Sequence, residues 1–266
     1  MKASAIGIVV LGIVVGCGGA PSAPAAPASR GGSADDSLGA ALVGPARSPE
    51  SRARDTFRHP RETLAFFGLR EDMTVVELWP GGGWYTEILA PFLAPKGKLV
   101  VTGSKVVAER IEKEPALFGK VTLRKLDLPN DFTLGPDGSV DLALTFRNVH
   151  NWMNAGYAEK VFASAFRALK HGGILGVVEH RAKPGTDAKT SADTGYVTEE
   201  TVIGFAKLAG LALDARSELN ANPKDTTDHP GGVWALPPSL ANGDKDRDAF
   251  IAIGESDRMT LRFKKP

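Results

Sequence analysis

The chain has 266 residues and a formal net charge of +1, with 42% hydrophobic and 24% charged residues. These values are ordinary for a globular domain that buries its own apolar core. The near-neutral charge offers no broad basic surface to a nucleic-acid backbone, so we exclude DNA or RNA as the main partner. A single cysteine excludes an internal disulfide.

The first segment has the composition of a secretion signal. Met1 and Lys2 precede an apolar run over residues 5–15, and Cys17 follows among small residues. This order is typical of a signal peptide, and the run is shorter than the ~20 residues that span a bilayer. The ending Val14-Val15-Gly16-Cys17 resembles a bacterial lipobox. The resemblance implies a signal peptide over residues 1–17, lipidation of Cys17, and anchoring in the bacterial cell envelope, facing the periplasm or exterior. The alternative is an ordinary signal peptide with a chance cysteine.

Residues 18–50 are rich in Ala, Pro, Ser and Gly and contain few large apolar side chains. Such a composition buries too little surface to offset the entropy lost on ordering. We therefore predict a flexible linker that holds a folded domain, residues 51–266, away from the membrane.

From residue 51 onward, strand patterns and helix patterns alternate. A helix is expected around residues 58–67, with Pro60 early and Gly68 after its end. Short apolar runs predict strands, and apolar residues three or four apart predict helices. The predicted strands are 74–79, 98–102, 121–126, 140–146, 174–178, 211–219 and 259–263. The predicted helices between them are 84–93, 105–114, 157–169 and 198–210, the last one capped by Thr198. This alternation is typical of a parallel, doubly wound α/β sheet.

Residues 220–257 interrupt the alternation between the last two strands. An irregular segment of this length inside a compact domain is usually functional or disordered. Trp234 and the pair Pro237-Pro238 favour a packed lid. We predict that this segment covers the carboxyl ends of the fourth and fifth strands, near His150 and His180.

The most informative motif runs from Val75 to Thr86, where a strand leads into the turn Gly81-Gly82-Gly83 and then into a helix. Glycine lets the backbone approach a ligand closely, and the free N–H groups of the following helix point to the same place. Open α/β sheets bind their ligands at the carboxyl ends of the strands. Glu77, near the end of the strand, favours a ligand with a cationic group, such as a sulfonium, over a phosphate.

This arrangement of an acidic residue and a Gly-x-Gly turn resembles motif one of the class I S-adenosylmethionine-dependent methyltransferases. Leu169-Lys170-His171-Gly172-Gly173 resembles the run that enters the fifth strand of those enzymes. The order of elements also matches, which implies a Rossmann-like, doubly wound, seven-stranded sheet with an antiparallel last strand. Five segments resemble a group of bacterial exported predicted methyltransferases, namely 77–85, 145–153, 179–181, 220–225 and 254–262. The resemblance covers roughly residues 52–266 and does not identify the acceptor.

The resemblance implies S-adenosylmethionine as the cofactor. The implied cofactor-binding residues are Glu77, Trp79, Gly81, Gly82, Gly83, Asp127 and Asn148. Among them, Asp127 matches the carboxylate that accepts a hydrogen bond from the adenine amino group. The chain departs from the family pattern at two places. Trp79 replaces the first glycine of the motif, and the segment 102–105 lacks the acid that normally holds the ribose hydroxyls, where Ser104 offers a weaker contact.

Polar residues after the fourth and fifth strands are candidate catalytic groups. His150 is interpreted either as a general base, taking a proton from the nucleophile, or as a hydrogen-bonded loop histidine. Glu179 and His180 are interpreted either as substrate contacts or as a solvated strand end. These three residues, with Asp228 and His229, could also meet around a metal ion. Their spacing follows no metal motif, so no metal site is predicted.

The sequence therefore predicts methyl transfer from S-adenosylmethionine to a small or medium-sized acceptor molecule. A nicotinamide-dependent oxidoreductase is a second reading, but the third glycine of a dinucleotide turn and its acid are missing. A third reading is a non-catalytic binding module of the cell envelope that keeps a degenerate methyltransferase fold, because a fold alone does not fix a function. Export favours this reading, since a cytoplasmic cofactor is not obviously available outside the inner membrane.

Overall fold

The computed structural model describes Met1 and residues 32–266. Residues 32–266 form one compact unit. The predicted signal peptide, Cys17 and the first part of the predicted linker lie outside the described residues. No helix in the described part of the chain is long and apolar enough to cross a bilayer.

Seven strands form a single sheet in the order β3-β2-β1-β4-β5-β7-β6. The strands are β1 Thr74–Leu78, β2 Lys98–Thr102, β3 Thr122–Arg124, β4 Val140–Phe146, β5 Leu169–His180, β6 Ala212–Ser217 and β7 Arg258–Lys264. Neighbours from β3 to β5 are parallel, whereas β7 is antiparallel to both β5 and β6. The predicted Rossmann-like, seven-stranded α/β fold with an antiparallel last strand is confirmed.

Helices cover both faces of the sheet. They are α1 Gly32–Val43, α2 Pro49–Ala53, α3 Asp55–Arg58, α4 Pro60–Phe66, α5 Thr86–Leu93, α6 Lys105–Lys113, α7 Pro115–Phe118, α8 Val149–Asn154, α9 Ala158–Ala168, α10 Ala188–Asp193, α11 Glu199–Leu208 and α12 Arg247–Ile253. The predicted cap of α11 is present, because the Thr198 hydroxyl accepts a hydrogen bond from the Thr201 N–H at 3.2 Å. The segment 220–257 contains two short helices that its pattern did not predict, the 3₁₀ turn Gly232–Ala235 and α12.

Residues 32–50 do not form the predicted linker, and the prediction is wrong for this part. Helix α1 packs against α4 and α5, with Leu38 and Leu42 buried in the core beside α5. Arg47 is also buried and donates to both carboxylate oxygens of Asp55, at 2.6 and 2.8 Å. The composition argument failed because two leucines one helical turn apart are enough to give a short helix an apolar face.

The core has two layers, one on each face of the sheet. Val75 of β1 packs in the layer that contains α5, whereas Val76 and Leu78 pack in the layer that contains α9. This division follows from the alternation of side chains along a strand. Since β1, β2, β4 and β5 are parallel, their carboxyl ends meet at one edge of the sheet.

Candidate active site

A cavity of about 450 Å³ opens at the carboxyl edge of the sheet. Its wall is formed by the glycine turn after β1, the loop after β4, the end of β5, the region of α2 and α3, and the segment 220–257. A larger cavity, of about 630 Å³, lies between α8, α9 and α10. The larger cavity is lined by neither the glycine turn nor the candidate histidines. The residues that line the smaller cavity therefore make it the candidate active site.

The turn after β1 has a left-handed backbone at three positions. The φ angles are 46° at Trp79, 58° at Gly81 and 82° at Gly83. A residue with a Cβ is disfavoured in this region, which gives a physical reason for the glycine that the family has at the position of Trp79. A Cβ placed on Gly81 or Gly82 meets no other atom within 4 Å, so the space above the turn is open.

The Trp79 side chain lies at the end of the pocket where the resemblance places the ribose of the cofactor. Its indole lies 5.2 Å from Trp152 and 6.4 Å from Tyr157, measured between ring centroids. A Cβ placed on Gly103, just after β2, would lie 3.7 Å from the indole Nε1. The Ser104 hydroxyl donates to the Gly81 carbonyl oxygen at 2.7 Å, so it braces the turn.

Glu77 lies beneath the turn, near the end of β1, and is fully buried. Its carboxylate accepts a hydrogen bond of 2.6 Å from the hydroxyl of Thr86, the first residue of α5. Burial raises the pKa of Glu77 to about 7, and the hydrogen bond from Thr86 opposes this shift. The group is therefore poised between its neutral and ionised forms near neutral pH.

Asn148 connects the loop after β4 to the glycine turn. Its amide nitrogen donates to the carbonyl oxygens of Leu78 and Trp79, at 3.0 and 3.2 Å, and to the Thr145 hydroxyl at 3.2 Å. Asn148 also lines the cavity. Because its N–H groups are used within the protein, its carbonyl oxygen is the group available to a ligand.

His150 and Glu179 form a buried pair beside the cavity. The Nδ1 atom of His150 lies 3.0 Å from Oε1 of Glu179, and the same carboxylate accepts from the backbone N–H groups of Val149 and His180, at 2.5 and 2.8 Å. With Nδ1–H donating to Glu179, the imidazole carries its lone pair on Nε2, the tautomer that a general base requires. His150 lines the cavity, so the pair can accept a proton there.

His180 lies next to this pair, with its ring centroid 5.6 Å from that of His150. Its Nδ1 is 2.5 Å from the hydroxyl of Ser256. Burial lowers the pKa of His180 well below its usual value, and the positive charge of Arg147 lowers it further. His180 is therefore neutral at pH 7 and can act as a hydrogen-bond donor or acceptor toward a ligand.

The ligating atoms of His150, Glu179 and His180 lie within 4.8 Å of one another. The Glu179 oxygens are already held by three N–H groups, and the neighbouring arginines make the surroundings positive. Both features oppose a divalent cation. His229 instead contacts Asp225, with Nε2 2.7 Å from Oδ1. That no metal binds stays a prediction.

Asp127 does not reach the cavity, contrary to the expectation for an adenine contact. Its side chain is exposed and accepts only a long bond, 3.4 Å, from the Asn130 amide. Its backbone carbonyl closes a turn by accepting from the N–H groups of Asn130 and Asp131.

The segment 220–257 forms part of the cavity wall at the ends of β4 and β5. Ser256 contacts His180, as described above, and the Trp234 ring lies 6.0 Å from the His150 ring. Asp225 accepts hydrogen bonds from the Tyr196 hydroxyl at 3.0 Å and from the Asp257 N–H at 2.8 Å. These bonds fix the segment to the rest of the domain.

The sequence analysis missed a group of arginines at the same cavity. Arg54 and Arg58 come from the region of α2 and α3, Arg147 follows β4, and Arg258 begins β7. A usable signal existed only for Arg147, which stands directly after a predicted strand. Arg54 and Arg58 lie four positions apart, but Arg258 is about 200 positions further along the chain, so only the fold brings them together.

No family model and no curated protein matches the chain. Among solved structures, a SAM-dependent methyltransferase from Aquifex aeolicus is similar with a TM-score of 0.55 and 17% identity, over 87% of this chain and 98% of that one. Geranyl diphosphate C-methyltransferase from Streptomyces coelicolor, solved with Mg²⁺, geranyl diphosphate and S-adenosyl-L-homocysteine, is similar with a TM-score of 0.52 and 16% identity, over 85% and 88%. At this identity the likeness shows the fold, which is that of SAM-dependent methyltransferases.

Proposed function

We propose that the protein transfers a methyl group from S-adenosylmethionine to a small or medium-sized acceptor molecule bound in the 450 Å³ cavity. The observation that carries this proposal is the combination of an open glycine turn above a buried acid with a histidine–glutamate pair in one cavity. The similarity to solved methyltransferases supports it at the level of the fold.

The residues of the turn fit the methionyl part of the cofactor. The space above Gly81 and Gly82 is open, Glu77 lies beneath as a charge partner for a cation, and the Asn148 carbonyl oxygen is available. The fit is poorer at the adenosine end, where the Trp79 indole lies close to Gly103 and Asp127 is absent from the cavity wall. When bound, the cofactor supplies an electrophilic methyl group on a sulfonium.

His150 is the proposed general base, taking a proton at Nε2 from the nucleophilic group of the acceptor. Glu179 keeps the required tautomer and stabilises the imidazolium that results. His180 and Trp234, whose rings lie 5.6 and 6.0 Å from that of His150, contact the acceptor beside it. Holding the two reactants in line lowers the activation free energy by up to about 7–11 kcal/mol.

The test is a calorimetric titration of the full-length chain with S-adenosylmethionine, followed by an assay for S-adenosylhomocysteine with candidate acceptors. Gly82→Val fills the open space above the turn, so we expect it to abolish cofactor binding. A Cβ placed on Gly204, in α11, also meets no neighbouring atom, so Gly204→Val serves as the matched control. A folded wild-type protein that does not bind the cofactor at millimolar concentration contradicts the proposal.

A second candidate is a non-catalytic binding module. It is favoured by the Trp79 indole against Gly103 and by the absence of an acid after β2. This candidate predicts that no acceptor yields S-adenosylhomocysteine, whatever the affinity for the cofactor. It also predicts that His150→Ala changes only stability and ligand affinity, because there is no turnover to lose.

A further inference from the structure

Four arginines lie near the carboxylate of Glu255 at the cavity, and three of them contact it. We call Arg54, Arg58, Arg147 and Arg258 the arginine cluster. The carboxylate is Glu255, which lies 2.7 Å from Nε of Arg54, 3.0 Å from Nε of Arg58 and 3.0 Å from Nη1 of Arg258. Glu255 and all members of the cluster except Arg258 line the cavity, and Arg258 pairs with His180 in the register of β7 on β5.

The cluster has buried N–H groups that no described residue accepts. Arg58 is only 2% exposed, and neither Nη1 nor Nη2 has a hydrogen-bond partner. Nη2 of Arg54 and Nε of Arg258 are also buried without a partner. A buried donor left unsatisfied costs about 1–3 kcal/mol, and more when it is charged. Buried N–H groups without a partner therefore call for an explanation, and a bound ligand that accepts their hydrogen bonds is one.

The stacking of Arg58 on Trp84 orients these donors. The guanidinium carbon of Arg58 lies 4.6 Å from the centroid of the Trp84 ring. Stacking satisfies the face of a guanidinium and leaves its N–H groups, which lie in the plane of the group, free to donate. The two Nη atoms of Arg58 form the fork that binds two oxygen atoms of one planar or tetrahedral anion.

Arg147 contributes a further positive charge that no carboxylate of the described residues pairs with directly. Its backbone is left-handed, with φ of 64°, and its N–H donates to the Val178 carbonyl oxygen at 2.7 Å. A strained backbone of this kind persists where the surrounding structure fixes it, often at a ligand site. Arg147 precedes Asn148, which contacts the glycine turn, and lies three residues before His150. Its backbone therefore lies in the loop that joins the proposed cofactor site to the His150–Glu179 pair.

Among the residues that the structure describes, the positive charge of the cluster is not balanced. Three of the guanidinium groups contact the carboxylate of Glu255, and Arg147 lies near it. Glu179 is held by His150 and backbone N–H groups, and Glu87, which also lines the cavity, pairs with Arg110. Burial lowers the pKa of Arg58 to about 9 and that of Arg147 to about 10. The pKa of Glu255 falls to about 2 because the positive charges around it, led by Arg58, outweigh the effect of its burial. Buried charge without a partner is unfavourable, and an anion would relieve it.

We propose that the arginine cluster binds the oxygen atoms of a carboxylate or phosphate group carried by a substrate. The proposal rests on the proposed function in assigning that group to one of the two reactants. It belongs either to an acidic methyl acceptor or to the methyl donor, through the α-carboxylate of S-adenosylmethionine. In both cases the bound group is held by the Arg58 fork and Arg147, next to His180.

The test uses calorimetric titrations of the full-length chain with inorganic phosphate, S-adenosylmethionine and decarboxylated S-adenosylmethionine. Arg147→Gln is the main variant, because this side chain holds no other described residue and its loss should leave the fold intact. Arg70→Gln is the matched control, since Arg70 is exposed and pairs only with the exposed Asp72. Thermal melts of the three proteins establish that all are folded.

Phosphate is expected to bind the wild-type protein, and Arg147→Gln should weaken it by about tenfold or more, with no change in Arg70→Gln. If the group belongs to the acceptor, phosphate binds equally well to protein saturated with S-adenosylhomocysteine. If it belongs to the donor, phosphate competes with S-adenosylmethionine. Decarboxylated S-adenosylmethionine then binds more weakly than the intact donor, and Arg147→Gln removes that difference.

The proposal is overturned if Arg147→Gln changes neither phosphate affinity nor the preference for the intact donor. That result leaves the proposed methyl transfer standing as long as S-adenosylmethionine binds. The opposite result is also distinct. Phosphate binding that depends on Arg147, in a protein that binds no S-adenosylmethionine, supports the anion site and contradicts the methyltransferase proposal.

Discussion

At the residue scale, burial assigns different roles to two glutamates that the sequence presents in similar ways. Both Glu77 and Glu179 lie near the end of a strand, and both are fully buried. Glu179 receives three hydrogen bonds, one of them from His150, whereas Glu77 receives one, from Thr86. In the proposed function, Glu179 therefore positions the histidine, and Glu77 is the acid that would respond to a bound cation.

The stability of the protein should depend on pH through Glu77. Its pKa is raised from 4.5 to about 7 in the folded state, so the protonated form favours folding. The contribution of protonated Glu77 to the free energy of unfolding is fully present below about pH 4.5 and is lost as the pH rises through about 7. Glu77→Gln keeps a neutral side chain at every pH. Relative to this variant, the wild-type free energy of unfolding should fall by on the order of 3 kcal/mol between about pH 5 and pH 8.

Urea unfolding at the two pH values measures this difference. Glu109→Gln, at an exposed position, should leave the pH dependence of the wild type unchanged.

Affinity for the cationic cofactor should change in the opposite direction, rising with pH as Glu77 ionises, and Glu77→Gln should remove that rise. Parallel stability curves for the wild type and Glu77→Gln would show that the carboxyl group is not perturbed.

His150 should matter for turnover rather than for cofactor binding. We expect His150→Ala to lower kcat by about 10²–10⁴-fold and to leave the S-adenosylmethionine affinity within about twofold. Glu179→Gln should also lower kcat, because it disturbs the His150 tautomer that carries its proton on Nδ1. His171→Ala, at an exposed histidine, is the control. Equal kcat values for the His150 and His171 variants would assign His150 a structural role.

At the element scale, helix α1 stabilises the domain from a region whose composition resembles a linker. Leu38 is 6% exposed and Val43, on the same helix, is 73% exposed. Helix α1 lies against α5, which begins directly after the glycine turn. Its packing therefore supports the element that carries Thr86 and, through it, Glu77.

Leu38→Ala should lower the free energy of unfolding by about 2–5 kcal/mol, because it removes a buried side chain and leaves a cavity. Val43→Ala removes a similar side chain from the exposed face and should change it by less than about 0.5 kcal/mol. Urea titrations of the two variants provide the measurement. If both variants unfold at the same urea concentration as the wild type, α1 does not stabilise the domain.

At the scale of the whole molecule, the two ends of the folded domain meet at the cavity. Arg54 and Arg58 precede the first strand, while Glu255 and Arg258 lie at the start of the last one. The ion pairs that join them span 197 and 201 positions of the sequence. Because β7 enters the sheet between β5 and β6, the chain must be folded almost completely before this part of the site exists.

The segment before the domain should attach the protein to a membrane through Cys17. We propose this location on the resemblance of Val14-Val15-Gly16-Cys17 to a lipobox. In a bacterial host, the wild-type protein should fractionate with membranes and carry a lipid on its N-terminal cysteine. Cys17→Ser should abolish both properties. Mass spectrometry that finds an unmodified mature N-terminus at any other residue would contradict the prediction.

The sequence by itself determined the sheet and the turn, because both follow from local patterns. Apolar runs and helical spacing depend on neighbours within a few residues, and the turn at Gly81–Gly83 follows from backbone freedom. The resemblance added the position and direction of the last strand. The same reasoning placed His150, Glu179 and His180 at one edge, since the carboxyl ends of parallel strands meet there.

Only the tertiary structure decided what those residues contact. The pairing of His150 with Glu179, the position of the Trp79 indole against Gly103 and the distance of Asp127 from the cavity depend on side-chain packing between separate elements. The arginine cluster is the clearest case, because its members come from three distant parts of the chain and no local pattern relates those parts. Burial and charge depend on the whole fold, which is why no sequence pattern predicted the arginine cluster at the cavity.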